Sequence, residues 1–162
     1  MKKIRILSGE KGQGKSSRLK EVFAGVPGAE GIITLRREGD FRDFYILSSG
    51  ESWSMHGAEN YAGPWLEVGR FRFSAEAFDR ASQYLLEAAR NPDTKLLIVD
   101  EVGPLELRKE GFYKALNDLM VNPPGPDLLL VVRSELVEEM KQFFAIPDAE
   151  VLSCDSLCSG FF

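Results

Sequence analysis

The sequence predicts an α/β fold with a mostly parallel central sheet and helices on both faces. Three observations predict it. Strand-like and helix-like segments alternate along most of the chain, the order that strand–helix–strand units require. Two near-continuous apolar runs, KLLIVD at 95–100 and DLLLVV at 127–132, have the composition of strands buried on both faces. A glycine-rich stretch, GEKGQGKS at 9–16, joins the first strand-like run to the first helix-like one, at a strand end where open α/β sheets place their ligands.

Ile4, Ile6 and Leu7 mark a short first strand that ends at Ser8. After the glycine stretch, Leu19, Val22 and Phe23 in SSRLKEVFAG recur at helical spacing. GIITLR (31–36) and DFYILS (43–48), separated by the charged turn RREGDFR, read as a strand pair. Residues 49–65 are polar, contain Gly50, Gly57, Gly63 and Pro64, and show no sustained period, which predicts a long loop. VGRFRF then reads as extended. Ser74 is placed to cap a helix running to about Arg90, with Phe78, Ala81, Leu85 and Ala88 on one face and Asn91-Pro92 ending it. A helix is expected from about Glu110 to Met120, closed by NPPGP, another over SELVEEMKQFF, and a last short strand at AEVLS.

At 162 residues the chain fits one domain, 1–162, with residues at about 49–73 as a loop or lid insertion. Hydrophobic residues make up 44% and charged residues 28%, ordinary values for a chain with a core to bury. With 20 Lys plus Arg against 25 Asp plus Glu, the formal charge of -5 gives no general positive field, which disfavours nucleic acid as a partner. A small anion is a different matter, because backbone N–H groups hold phosphate whatever the net charge. No apolar stretch approaches the ~20 residues that span a bilayer, and a cytoplasmic protein without membrane contact is expected. Cys154 and Cys158 form an isolated C-x-x-x-C without a second Cys/His pair, so reduced thiols are expected rather than a zinc site.

The glycine stretch fits G-x-x-x-x-G-K-[ST] with Gly9, Gly14, Lys15 and Ser16. The glycines let successive N–H groups turn inward on phosphate oxygens, and the following helix offers its positive end. Lys15 reaches the β and γ phosphates in such a loop, and the Ser16 hydroxyl binds Mg²⁺. Chance produces this pattern in a chain of this size about once in a hundred, and the flanking strand and helix reduce that further. The nucleotide-binding residues expected are Gly9, Glu10, Lys11, Gly12, Gln13, Gly14, Lys15, Ser16 and Ser17. LLIVDE adds Asp100 and Glu101 at the end of a buried strand. Alone this is a weak signal; beside a phosphate loop, Asp100 is the expected Mg²⁺-organising carboxylate. Glu101 is then placed to orient or deprotonate an attacking water.

Taken together, GEKGQGKSS, GIITLRREGDFRDFYILSSG, VGRFRFSAEAF and LLIVDEVGPLELRKEGFYKAL resemble the P-loop nucleoside-triphosphatase family known from thermophilic microbes and from a human cancer-related nucleoside-triphosphatase. The resemblance covers roughly residues 3–145, and its distinctive part is the block Asp100, Glu101, Gly103 and Glu106. It implies a three-layer P-loop NTPase fold with a RecA-like core. Lys15 and Ser16 would bind nucleotide and Mg²⁺, Asp100 would support the metal, and Glu101 would act as catalytic base in slow hydrolysis of several NTPs. Here GIIT stands where relatives often have GFYT, Arg72 follows Phe71, and Arg133-Ser134 replaces a Thr-containing segment.

A transition-state arginine is sought among Arg36, Arg70, Arg72 and Arg133, with Arg70 and Arg133 foremost. His56, the one histidine, is expected in an exposed loop, and Trp53 and Trp65 either pack or stack on a base. No N-K-x-D follows the loop, so the common form of guanine selectivity is not indicated. Besides an NTPase using ATP, GTP or other NTPs, two readings stay open at this stage. One is a nucleoside or nucleotide kinase; the other is a nucleotide-dependent switch that binds a partner protein.

Overall fold

The computed structural model describes residues 2–10, 12, 14–122 and 124–157. Its centre is a seven-stranded sheet in the order β4-β3-β2-β7-β8-β1-β9. The strands are β1 (Ile4–Gly9), β2 (Ala29–Arg36), β3 (Arg42–Ile46), β4 (Ser52–Ser54), β7 (Leu96–Asp100), β8 (Asp127–Arg133) and β9 (Glu150–Leu152). β2, β7, β8, β1 and β9 run parallel, while at one edge β3 pairs antiparallel with β2 and β4 antiparallel with β3. A separate hairpin pairs β5 (Trp65–Val68) with β6 (Phe71–Ser74).

Alternation along the strands divides the apolar residues between two layers. Ile6, Ile32, Leu97, Val99, Leu128, Leu130 and Val132 face α2 (Ala75–Arg90) and α4 (Tyr113–Val121), which supply Phe78, Ala81, Leu85 and Leu116. Leu7, Ile33, Leu96, Ile98, Leu129 and Val131 face the other way, onto Leu19 and Phe23 of α1 (Lys15–Phe23). All five residues of β7 are buried, as its apolar run predicts. This is the expected α/β fold, a mostly parallel sheet between helical layers.

β2 and β7 approach closely because Gly31 lies between them: a Cβ there would sit 2.5 Å from the Ile98 carbonyl oxygen. Ser74 caps α2 as expected, its Oγ accepting the Ala77 N–H at 3.0 Å.

Three expected elements differ. Residues 49–65 are not one loop, for β4 lies within them and β5 starts at their end. Met55 N donates to Arg42 O and Ser74 N to Met55 O, so this segment completes its hydrogen bonds with β3 and the hairpin. The helix expected from Glu110 starts at Tyr113, preceded by a separate short α3 (Pro104–Leu107). Lys109 and Gly111 both have φ of 63°, a left-handed backbone that an α-helix cannot continue through. The SELVEEMKQFF segment divides into a 3₁₀ turn, Ser134–Leu136, and α5 (Val137–Phe143). Among the described residues no helix is long and apolar enough to cross a membrane.

Candidate functional site

The site forms where β1, β7, β8 and β2 end along the same edge of the sheet. β1 delivers Gly9 and Glu10, and Gly14, left-handed at φ 74° and ψ 26°, turns the chain into α1. Gly12 also has a positive φ, 85°. Glycine is the residue that takes these conformations without a Cβ penalty. Lys11 and Gln13 lie outside the described residues. Lys15 is buried, and its Nζ donates to the carbonyl oxygens of Gly9 at 3.2 Å and Glu10 at 2.9 Å, curled over the loop. Ser16, one residue on, donates from Oγ to Asp100 Oδ2. Gly12, Gly14, Lys15, Ser16 and Ser17 all line one cleft with Asp100 and Glu101.

Asp100 is buried at the end of β7. Neighbouring β2 brings up Thr34, whose N–H donates to Asp100 Oδ2 at 3.3 Å and whose Oγ1 donates to the Asp100 carbonyl oxygen at 2.9 Å. Burial raises the Asp100 carboxyl to about 7, against the opposing pull of the Ser16 and Thr34 hydrogen bonds and of Lys15. A buried carboxylate beside a serine hydroxyl offers hard oxygen donors, the ligand type that magnesium takes. Among the described residues no group of three or more His, Cys, Asp or Glu is gathered to hold a metal. Magnesium at phosphates commonly keeps most of its ligands from substrate and water and needs only one or two from protein.

Glu101 stands at the cleft, with Arg133 Nε 3.5 Å from its Oε1. The backbone beyond it is fixed from two sides. Val102 N donates to Val131 O at 2.8 Å. The buried Glu106 accepts Gly103 N on Oε1 at 2.7 Å and Phe112 N on Oε2 at 2.8 Å. Burial pushes Glu106 up to about 7 although both amide bonds favour its ionised form. Gly111 is required beside it, since a Cβ there would lie 2.2 Å from Glu106 Oε2. Glu106 thus holds the loop that carries Glu101, a role its place in the sequence block does not reveal.

Of the arginines considered, Arg36 and Arg133 line the cleft. Arg70 does not: it sits beside the Gly69 turn of the hairpin and pairs with Asp40 at 2.9 Å, both side chains largely exposed. Arg72 pairs with Glu67 at 3.6 Å and lies over the Trp65 ring at 4.3 Å. Arg42 was not among the sequence candidates, yet it lines the cleft opposite Arg36 in the β2–β3 register. The signal was there in RREGDFR, but only the hairpin register converts it into position.

His56 is half-buried rather than exposed. It accepts Arg42 N on Nε2 at 3.2 Å, so Nδ1 carries the proton shared with the Arg72 carbonyl at 2.8 Å. Trp53 packs on Phe44, and its Nε1 donates to Ala77 O at 3.1 Å. Trp65 packs on Tyr61. Neither tryptophan lines the cleft. Cys154 is a free, half-buried thiol, and Cys158 lies outside the described residues.

Residues 5–154 match the model of a family described as NTPase. The nucleoside-triphosphatase THEP1 of Methanosarcina barkeri is 30% identical over 152 residues, covering 86% of this chain and 84% of that protein. The crystal structure of THEP1 from the hyperthermophile Aquifex aeolicus superposes with a TM-score of 0.69 at 20% identity, over 93% of this chain and 89% of that one. The solution structure of a human cancer-related nucleoside triphosphatase gives 0.65 at 24% identity, over 93% and 88%.

Proposed function

The chain belongs to the NTPase family, and on that premise we propose that it is a magnesium-dependent hydrolase of nucleoside triphosphates, releasing the diphosphate and inorganic phosphate. In this reading residues 1–162 act as one domain, and the segment at about 49–73 forms a lid over the cleft. The observation that carries it is the convergence of Ser16, Asp100 and Glu101 beside the Lys15 loop.

The loop amides and Lys15 hold the polyphosphate. Lys15 leaves the Gly9 and Glu10 carbonyls for phosphate oxygens, which are charged and therefore stronger acceptors. Ser16 and Asp100 would hold magnesium, which when bound would supply positive charge to offset that of the phosphates. Glu101 accepts a hydrogen bond from a water and takes its proton as that oxygen bonds to the γ-phosphorus. The bond to the bridging oxygen breaks, and its electron pair leaves with the diphosphate. Arg133, which lines the same cleft, pairs with the Glu101 carboxylate and is the arginine assigned to transition-state charge in this reading.

The test is phosphate release with magnesium and each of ATP, GTP, CTP and UTP. Release by the wild-type chain that is lost in Lys15→Ala and in Glu101→Gln supports the reading. Release unaffected by both substitutions refutes it.

A further inference from the structure

The cleft has more wall than a polyphosphate can use. One side is the phosphate loop with Thr34, Asp100 and Glu101. The rest of its ≈ 260 Å³ is bounded by Met55, Val68, Phe71, Phe73, Phe78 and Phe112, an apolar surface with nothing to offer phosphate.

The strand order says which end of a bound triphosphate faces that surface. Ser16, in the first turn of α1, reaches Asp100 at the end of β7, where the pair would hold the metal beside the reacting phosphates, and the apolar chamber lies further on, under β2, β3 and the hairpin. The chamber therefore lies beyond the reacting phosphate. The base of the same nucleotide is at the other end of its phosphate chain.

Charge at the chamber's rim is unbalanced. Arg36 and Arg42 are directly opposite in the β2–β3 ladder, an arrangement that destabilises a sheet when the charges are alike. Arg133 adds a third guanidinium to the same cleft. Burial, then Arg36 and Arg133, lower the Arg42 pKa, against Glu101 and Asp40. Of those two carboxylates, Asp40 is already paired with Arg70 and Glu101 with Arg133. Arg42 Nε is buried without a hydrogen-bond partner, a condition that native structures seldom leave unrelieved. Arg42 also lies 4.6 Å from the centroid of the Phe71 ring, and Phe71 stacks on Phe73 at 5.8 Å with 5° between planes. Aromatic surface and paired cations thus occur side by side.

We propose that this chamber, between the Arg36–Arg42 pair and the Phe71–Phe73 stack, binds a second ligand of the nucleoside monophosphate class, its ring on the aromatic wall and its phosphate on the guanidiniums. A phosphate dianion suits two facing guanidiniums in both charge and fork geometry, which a single carboxylate charge does not. The proposal rests on the hydrolase reading for the end of the cleft that the triphosphate takes.

The test is isothermal titration of the full chain with AMP, GMP, CMP and UMP in magnesium, with and without a saturating non-hydrolysable triphosphate analogue. Expected is saturable binding of at least one monophosphate while the analogue remains bound. Arg42→Met and Phe71→Ala should each weaken it at least tenfold, and Lys15→Ala should lose the analogue and keep the monophosphate. The proposal is overturned if no monophosphate binds saturably, or if the analogue displaces it and Lys15→Ala abolishes it, which puts it on the phosphate loop. Failure of the hydrolase reading is separate, because it appears as absence of phosphate release by the wild-type chain.

Discussion

Glu101 and Arg133 face each other across 3.5 Å with side chains 31% and 26% exposed. A partly exposed pair of this kind contributes at most ~1 kcal/mol to stability, so its use is orientation. Replacing Glu101 by Gln keeps the size and the neighbours but removes the acceptor of the water proton. Turnover should fall by about 10²- to 10⁴-fold, the usual worth of a general base, while triphosphate affinity and urea-unfolding stability stay near wild type. Single-turnover phosphate release beside equilibrium binding separates these effects, and an unchanged turnover removes Glu101 from its role. Gly14, Lys15, Ser16 and Asp100 were legible from sequence because each is set by local spacing or by the end of an apolar run. Arg42 was not. Its neighbours depend on the β2–β3 register, and a slip of one residue would turn it to the opposite face.

At the scale of elements, the loop from Glu101 to Phe112 depends on one buried carboxyl accepting two amides. Gln in place of Glu106 presents one oxygen and one NH₂, so one of those N–H groups loses its acceptor, at a cost of ~1–3 kcal/mol. The pH dependence has a definite sign. Glu106 ionises at its ordinary 4.5 in the unfolded chain and at about 7 in the native one. Between those values the native state holds the extra proton, so stability falls as pH rises, by on the order of 3 kcal/mol in total. Glu106→Gln removes that slope. Urea unfolding of both proteins from pH 5 to 8 should find the variant most destabilised at acid pH and the difference narrowing toward pH 7; parallel curves would mean that Glu106 is not the titrating group. Gly31 sets a different element contact. Ala there places a Cβ 2.5 Å from Ile98 O, and opening the β2–β7 pairing to admit it should cost ~1–3 kcal/mol, read as a lower urea midpoint. The apolar runs made β7 and β8 legible, whereas β4 was missed because SWS is three residues long and its pairing with β3 is a tertiary fact.

The whole molecule brings the site together from distant sequence. Ser16 and Asp100 are 84 residues apart: Ser16 lies in the first turn of α1, the helix that follows β1, and β1 is separated in the sheet from β7, which ends in Asp100, by β8, which carries Arg133. The order of strands in the sheet cannot be read from the order of segments in the chain, and this is why the cleft's far wall, built by the hairpin and β3, was not visible as a site. The same topology makes ligand binding a global event. In the proposed reading a triphosphate with magnesium would touch groups from the phosphate loop, α1 and β7 at once and bind only when the sheet is assembled, so it would stabilise the native state by RT ln(1 + [L]/Kd). At one hundred times Kd this is about 2.7 kcal/mol, and for a domain of this size each kcal/mol moves Tm by about 2–4 °C. A non-hydrolysable analogue with magnesium should therefore raise Tm by about 5–10 °C, and Lys15→Ala should remove the shift at the same concentration. Differential scanning calorimetry measures both. A rise that survives in Lys15→Ala would mean that the stabilising contacts lie away from the phosphate loop, and the assignment of Ser16 and Asp100 as the place where nucleotide joins the two halves of the sheet would fail with it.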